Sequence, residues 1–215
     1  MASFDEYVSD VRTVQRFAAE RHPALPLFLV GHSQGGLVVL RHALSFPTGL
    51  AGVIVDSPVL GVHPDSRPGT GLKLLATLLS RIVPGLRLPS GLDPTLISRD
   101  PAVVRAYVDD PLVTRKVSAG WFAAFREALA AVQTQAGRLA VPALVMAAGD
   151  DRLVDSEATR AWAERAPQDR VEFVRWEGLY HEAFNEPEKE QVFRRMEAWL
   201  DARLRDAQLP VVNEE

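Results

Sequence analysis

The sequence predicts an α/β fold, a parallel sheet with helices on both faces. Three observations carry this reading. Short, almost uninterrupted apolar runs occur at "LFLV" (27–30), "LAGVIVDSP" (50–58), "VPALVMAAGDD" (141–151) and "VEFVRW" (171–176), the pattern of strands buried on both sides. Segments with helical spacing of apolar residues alternate with them. The 215 residues are enough for one substantial core but not comfortably for two, so one domain is expected.

Taken in order, Phe4 to Arg21 carries Phe4, Tyr7, Val8, Val11, Val14 and Phe17 at three-and-four spacing, with Ser3 placed to cap an amphipathic helix. Pro23 and Pro26 punctuate the chain before the first strand. Gly36 to Leu44, rich in small and aliphatic residues, reads as the next helix, and 50–58 as the second strand. The interval from Leu60 to Ala140 then breaks the alternation: it holds many leucines and prolines, short helical patterns and no convincing strand. A helical insertion is expected there. The strands at 141 and 171–176 flank a helix over Ser156 to Arg165, and Pro187 to Leu204 closes the chain with Val192, Met196, Trp199 and Leu200 along one face. The tail "LPVVNEE" is expected to fray.

Composition removes several classes of function. Apolar residues make up 47% of the chain, charged residues 24%, and the formal net charge is −4, as in ordinary globular proteins. Lys and Arg are scattered, without a basic stripe interleaved with aromatics, which argues against nucleic acid as a partner. The absence of cysteine excludes a disulfide framework, a Cys-ligated zinc site and a thiol nucleophile. "MASFDEYVSDV" is acidic and is not followed by an apolar stretch as in a signal peptide. No run is long enough to cross a bilayer, and a cytoplasmic location is expected.

Gly31-His32-Ser33-Gln34-Gly35 fits G-x-S-x-G, the turn that holds a nucleophilic serine at the strained apex between a strand and a helix. Alone the pattern is weak, but here it lies between an apolar strand and a small-residue helix, the context it requires. The flanking glycines are expected to prevent collisions with neighbouring elements. A serine hydroxyl needs a histidine to remove its proton, and that histidine needs a carboxylate to fix its tautomer and stabilise its charge. In such folds the order is Ser, then Asp or Glu, then His, each just beyond a strand.

Five histidines compete for the base. His22 lies before the nucleophile strand, His42 on the helix leading away, and His63 at the start of the insertion. His32 adjoins the nucleophile, where no room is expected for a carboxylate partner in the required order. His181 alone follows an acidic turn and a strand. The acid is left open by the residues themselves: Asp155, just before Ser156, suits a helix cap, whereas Asp150 and Asp151 are tied.

With these residues in view, the sequence resembles the monoacylglycerol lipase family of α/β-hydrolases, above all its bacterial members. The resemblance runs through "LFLVGHSQGGLVVLRHA", "LISRDPAVVRAYVDDPLV", "AAGDDRLVDSEA" and "WEGLYHEAFNEP", covering Phe4 to about Leu204. It implies a single α/β-hydrolase domain, with 1–59 and 138–215 as core and 60–137 as a helical cap. It selects Asp151, the acid immediately before "RL", and so a triad of Ser33, Asp151 and His181 acting through an acyl-serine, with the Gln34 N–H as one oxyanion donor. No cofactor or metal is implied, and "HEAFNE" lacks a second histidine one helical turn after the first.

The family begins with several strands and an HG-containing loop that supplies the second oxyanion donor. No HG dipeptide occurs in this chain, which starts at the helix that follows them. The expectation is therefore a fragment or misassigned start, with the activity in a longer parent and "LFLV" as an exposed apolar edge.

The implied substrate is a small lipid ester, most simply a monoacylglycerol. "GLKLLATLLSRIVPGLRL" (71–88), apolar around most of its circumference with only Lys73 and Arg81 charged before Arg87, is expected to line an acyl channel or touch a membrane surface. Trp121, Phe122, Phe125 and Leu129 are expected mainly in the core. The alternatives are a lysophospholipase, a broad carboxylesterase, and a catalytically inactive remnant that only binds lipid or a partner strand.

Overall fold

The computed structural model describes residues 3–67 and 69–206, except the side chains at 70, 72, 73 and 206. The expectations for the tail 209–215 and for the Lys73 side chain lie outside the described residues. Helix α1 (Asp5–Arg21) has Phe4 at its N-cap rather than the expected Ser3, which lies one residue earlier but still bonds the helix start: the Asp5 N–H donates to Ser3 Oγ at 3.1 Å, and the Ser3 N–H donates to the Glu6 carboxylate at 3.2 Å. Strand β1 (Phe28–His32), helix α2 (Gln34–Ser45) and strand β2 (Gly52–Asp56) follow. The segment 60–140 then carries α3 (Thr70–Ile82), β3 (Arg87–Pro89), α4 (Pro101–Asp109), β4 (Lys116–Ser118) and α5 (Ala119–Thr134). Strand β5 (Ala143–Ala148), α6 (Ser156–Arg165), β6 (Val171–Trp176) and α7 (Lys189–Asp206) complete the chain.

The main sheet has four parallel strands in the order β1-β2-β5-β6. Successive residues of a strand face opposite sides, and both sides of β2 and β5 are covered. Val53, Val55, Ala143 and Val145 join the cluster formed with α1, α2, α5 and α6, while Ile54, Leu144 and Met146 pack against Val192 and Trp199 of α7. This two-sided burial is why these strands read as continuous apolar runs. Each such side chain contributes roughly 1.5–3 kcal/mol on leaving water. Strand β1 forms one edge of the described sheet, where Val30 is 52% exposed.

The structure refines the sequence reading in three places. The segment 60–140 is not strand-free: β3 and β4 pair antiparallel, Leu88 opposite Val117, but with three residues each they are too short to show alternation. Helix α5 lies within the span assigned to the cap, yet its Phe125, Ala128 and Val132 belong to the main core, and the Trp162 indole N–H of α6 donates to the Val132 carbonyl at 2.9 Å. On α1 the apolar face is only half used. Phe4 and Val8 are buried, Val14 and Phe17 are exposed, and Gln15 is buried instead, bonded to His42 of α2 and to the Thr48 carbonyl.

Candidate functional site

Ser33, Asp151 and His181 each lie a few residues beyond the C-terminal end of a strand, β1, β5 and β6 respectively. The parallel sheet therefore delivers all three to one edge. The turn at Ser33 has φ 53° and ψ −119°, a sparsely populated conformation that costs about 1–3 kcal/mol and persists only where its surroundings enforce it. They do so here by backbone bonds: the Ser33 N–H donates to the Asp56 carbonyl at 2.9 Å, and the Ser33 carbonyl accepts from Val59 at 3.1 Å and Leu37 at 3.3 Å.

Close packing explains two of the glycines, though not both that the pattern names. A Cβ on Gly31 would lie 2.5 Å from the Gly35 carbonyl oxygen, and one on Gly36 would lie 2.8 Å from Pro58 Cβ. Gly35 itself has open space beside it, so the collision expected there belongs to Gly36.

The three side chains form a continuous chain of hydrogen bonds. Ionised Asp151 can only accept, so His181 Nδ1–H donates to it at 2.7 Å; this leaves Nε2 to accept from the Ser33 hydroxyl at 2.8 Å. Asp151 is buried, and its other oxygen accepts the Leu153 and Val154 N–H groups, both at 2.8 Å. Asp150 is exposed and does not compete for this place. Asp155 caps α6 through the N–H groups of Glu157 and Ala158, as its position before Ser156 predicts. Gln34 is the first residue of α2, where backbone N–H groups have no carbonyl behind them to bond and stay free for an anion.

The other histidines sort by environment. His42 is buried within α2, its Nδ1–H donating to the Val8 carbonyl at 3.3 Å and its Nε2 bonded to the Gln15 side-chain amide at 2.7 Å, and His22 ends α1. His32 has a carboxylate partner, Asp56 at the end of β2, 2.9 Å from its Nδ1. Because His32 precedes both Ser33 and Asp56, the pair does not meet the Ser–Asp–His order, as expected, and the order rule did not look for it.

The loop carrying His181 is anchored from the segment before α4, a link that sequence reasoning missed. Buried Glu186 accepts from the Arg99 backbone N–H at 2.6 Å, from the Arg99 guanidinium and from the Tyr180 N–H at 3.2 Å. The Glu182 N–H donates to the Ile97 carbonyl at 2.8 Å, and the Ser98 hydroxyl to Asn185 at 3.2 Å. Burial pushes the Glu186 carboxyl up, but the bonds from Arg99, Ser98 and Tyr180 outweigh it and hold the group below the usual carboxylate range. The signal lay in "LISRD" and "HEAFNEP", whose polar residues occur where both segments otherwise turn inward.

Ser33 and His181 open into a cavity of about 170 Å³ whose wall includes Val59, Val62, Leu92, Leu153 and Val154. At Ser90 and Gly91 it adjoins a second, mainly apolar cavity of about 320 Å³ bounded by Ala76, Leu88, Val117 and Phe122. Among the described residues no Asp or Glu lines either cavity. Among the described residues no cluster of three or more His, Asp or Glu is arranged to hold a metal ion, and no helix is long and apolar enough to cross a membrane.

Comparison with known proteins places this geometry. The family described as "Serine aminopeptidase, S33" (Hydrolase_4) matches residues 1–188. Phospholipase YtpA of Bacillus subtilis (strain 168) is 39% identical over 202 residues, which are 93% of this chain and 76% of the relative. A monoacylglycerol lipase of Mycolicibacterium smegmatis is 33% identical over 205 residues, 95% of this chain and 72% of the relative. Among solved structures, the monoacylglycerol lipase of Paleococcus ferrophilus superposes with a TM-score of 0.84 at 32% identity, covering 94% of this chain and 76% of that one.

Proposed function

Since the chain belongs to the Hydrolase_4 family of α/β-hydrolases, among its monoglyceride lipase-like members, and is a serine ester hydrolase, we propose that it cleaves monoacylglycerols to glycerol and fatty acid through an acyl-serine. The observation that carries this is the Asp151–His181–Ser33 chain of hydrogen bonds, which opens onto a cavity of about 170 Å³ that adjoins a mainly apolar one of about 320 Å³. His181 Nε2 takes the Ser33 proton as Oγ attacks the ester carbonyl, and Asp151 stabilises the imidazolium. The tetrahedral oxyanion accepts the Gln34 N–H. On collapse the C–O bond to the glycerol breaks, and His181 returns its proton to the leaving alkoxide. Water then attacks the acyl-serine with His181 again as base, releasing the fatty acid and restoring Ser33.

The apolar walls support a long acyl chain as the substrate's main body. A peptidase that holds a free α-amine needs an acidic group to pair with it, and none of the described residues lining these two cavities is one, so an uncharged ester fits better than an aminoacyl amide. A lysophospholipid is the second reading, favoured by the phospholipase relative. Turnover of long-chain monoacylglycerol, lysophosphatidylcholine and an aminoacyl nitroanilide should be compared, with Ser33→Ala as control. The monoacylglycerol should have the highest kcat/KM, and all Ser33-dependent turnover should vanish in the control. Preference for lysophosphatidylcholine would move the assignment to the second reading, and preference for the anilide would refute both.

A further inference from the structure

A second His–Asp pair stands beside the first. His32 Nδ1–H donates to Asp56 at 2.9 Å, and the His32 ring lies 4.8 Å from the His181 ring, tilted by 56°. Phe184, from the His181 loop, packs on His32 at 6.3 Å. Asp56 is fully buried, and its Oδ1 has no hydrogen-bond partner among the described residues. Its charge therefore depends on His32 alone for a direct side-chain bond.

Holding β1 to β2 does not require this pair, because the two residues are already paired in the backbone register of the parallel ladder, five pairs long. A buried carboxylate is costly, and an apolar pair of similar size would satisfy a purely structural need at least as well. What the pair does add is an ionisable ring against the base, hydrogen-bonded to a buried acid that burial pushes up from its ordinary value while the bond from His32 works the other way. We propose that His32 and Asp56 are positioning residues for His181: they seat its ring and set the pH range in which it works as a base. The proposal rests on the role assigned to His181 above.

The titratable groups facing His32 are Asp56 on β2, Asp151 after β5, and His181 and Glu182 on the loop after β6. Burial works against a charge on His32, but the bond and charge of Asp56, helped by Glu182 and Asp151, outweigh it and raise the group above the ordinary histidine range. When protonated, His32 offsets the Asp56 carboxylate and, with its ring 4.8 Å from that of His181, disfavours a second positive charge there. Removing His32 takes away that cation, whether Asp56 stays ionised or becomes neutral. In either case the His181 imidazolium becomes easier to form, and the acid side of the pH profile moves to higher pH. For a unit charge about 5 Å away, even with water-like screening, the shift is about half a pH unit or more.

The test measures kcat/KM against pH for wild type, His32→Gln and His32→Phe, together with the His181 ring-proton titration by NMR, which needs no substrate. His32→Phe keeps an aromatic ring against His181 without the charge, and thermal melts establish that each variant is folded. Both variants should move the acid limb and the NMR titration upward together, and His32→Gln should also lower kcat by several-fold more than His32→Phe. Variants that fold, lose only melting temperature and leave the His181 titration in place would overturn the proposal. A wild-type protein that turned over no ester, with the NMR shift still present, would refute the proposed function and leave the coupling between the two rings intact.

Discussion

Asp151 and His181 are each about 5% exposed or less, whereas Leu74, Leu75, Leu78 and Ile82 of α3 are exposed by half or more. The contrast separates two tasks. At the sheet edge the Asp151, His181 and Ser33 side chains bond one another and the backbone within 2.9 Å. On α3 a row of leucines stays half exposed or more although the helix packs on α5, while Ala76 of the same helix faces the 320 Å³ cavity. The edge is built for fixed geometry, whereas α3 leaves apolar side chains at the surface.

The sharpest way to break this contrast is at the edge itself. Ser33→Ala or His181→Gln should lower ester turnover by about 10⁴-fold or more with an unchanged melting curve, because members of such a unit fail together. Steady-state assays at saturating substrate check this. Gly31→Ala should act through the fold instead: its Cβ would meet backbone at 2.5 Å, and neither the strand nor α2 can give way. A loss of about 3 kcal/mol or more in urea unfolding is expected, or insoluble protein.

Arg99→Ala probes the link between the two regions. It leaves the Glu186 carboxylate buried without its cation, and since Arg99 is itself 35% exposed the cost should be about 2 kcal/mol, less than for a fully buried pair. Turnover should fall with stability, as the Tyr180–His181 backbone loses its anchor. The same carboxylate makes a pH prediction. Because Glu186 is held below its unfolded value, its contribution is fully present above that value, about 4.5, and is lost as pH falls through the lower folded value. Melting temperature against pH should show this acid-side loss, flattened in Glu186→Gln. The smallest effect belongs to α3: Leu75→Ser with Leu78→Ser should change stability by only about 0.5 kcal/mol, raise KM several-fold for a long-chain ester, and leave a butyrate ester unaffected.

The regions also differed in how far the sequence revealed them. Strands β2 and β5 were legible because burial on both faces leaves no polar residue to interrupt the run, and Ser33 because a strained turn needs glycine close by. Asp155 was legible as a cap from its position alone. Asp151 was not separable from Asp150 by residue type, since only the turn's three-dimensional course buries one and exposes the other; the family resemblance selected it. The Arg99–Glu186 link joins residues 87 apart, and the β3–β4 pair is three residues long: pairing at such distance or brevity leaves no local periodicity. Gln15 was missed for a related reason, because its partners His42 and Thr48 lie on another element.

The most direct test of the central claim is labelling by a fluorophosphonate, which reacts only with an activated serine. Wild-type protein should be labelled on a single site that peptide mass spectrometry maps to Ser33, with labelling abolished in Ser33→Ala and slowed at least about a hundredfold in His181→Gln. Folded wild-type protein that resists the probe, or a label that maps to another residue, would contradict the account.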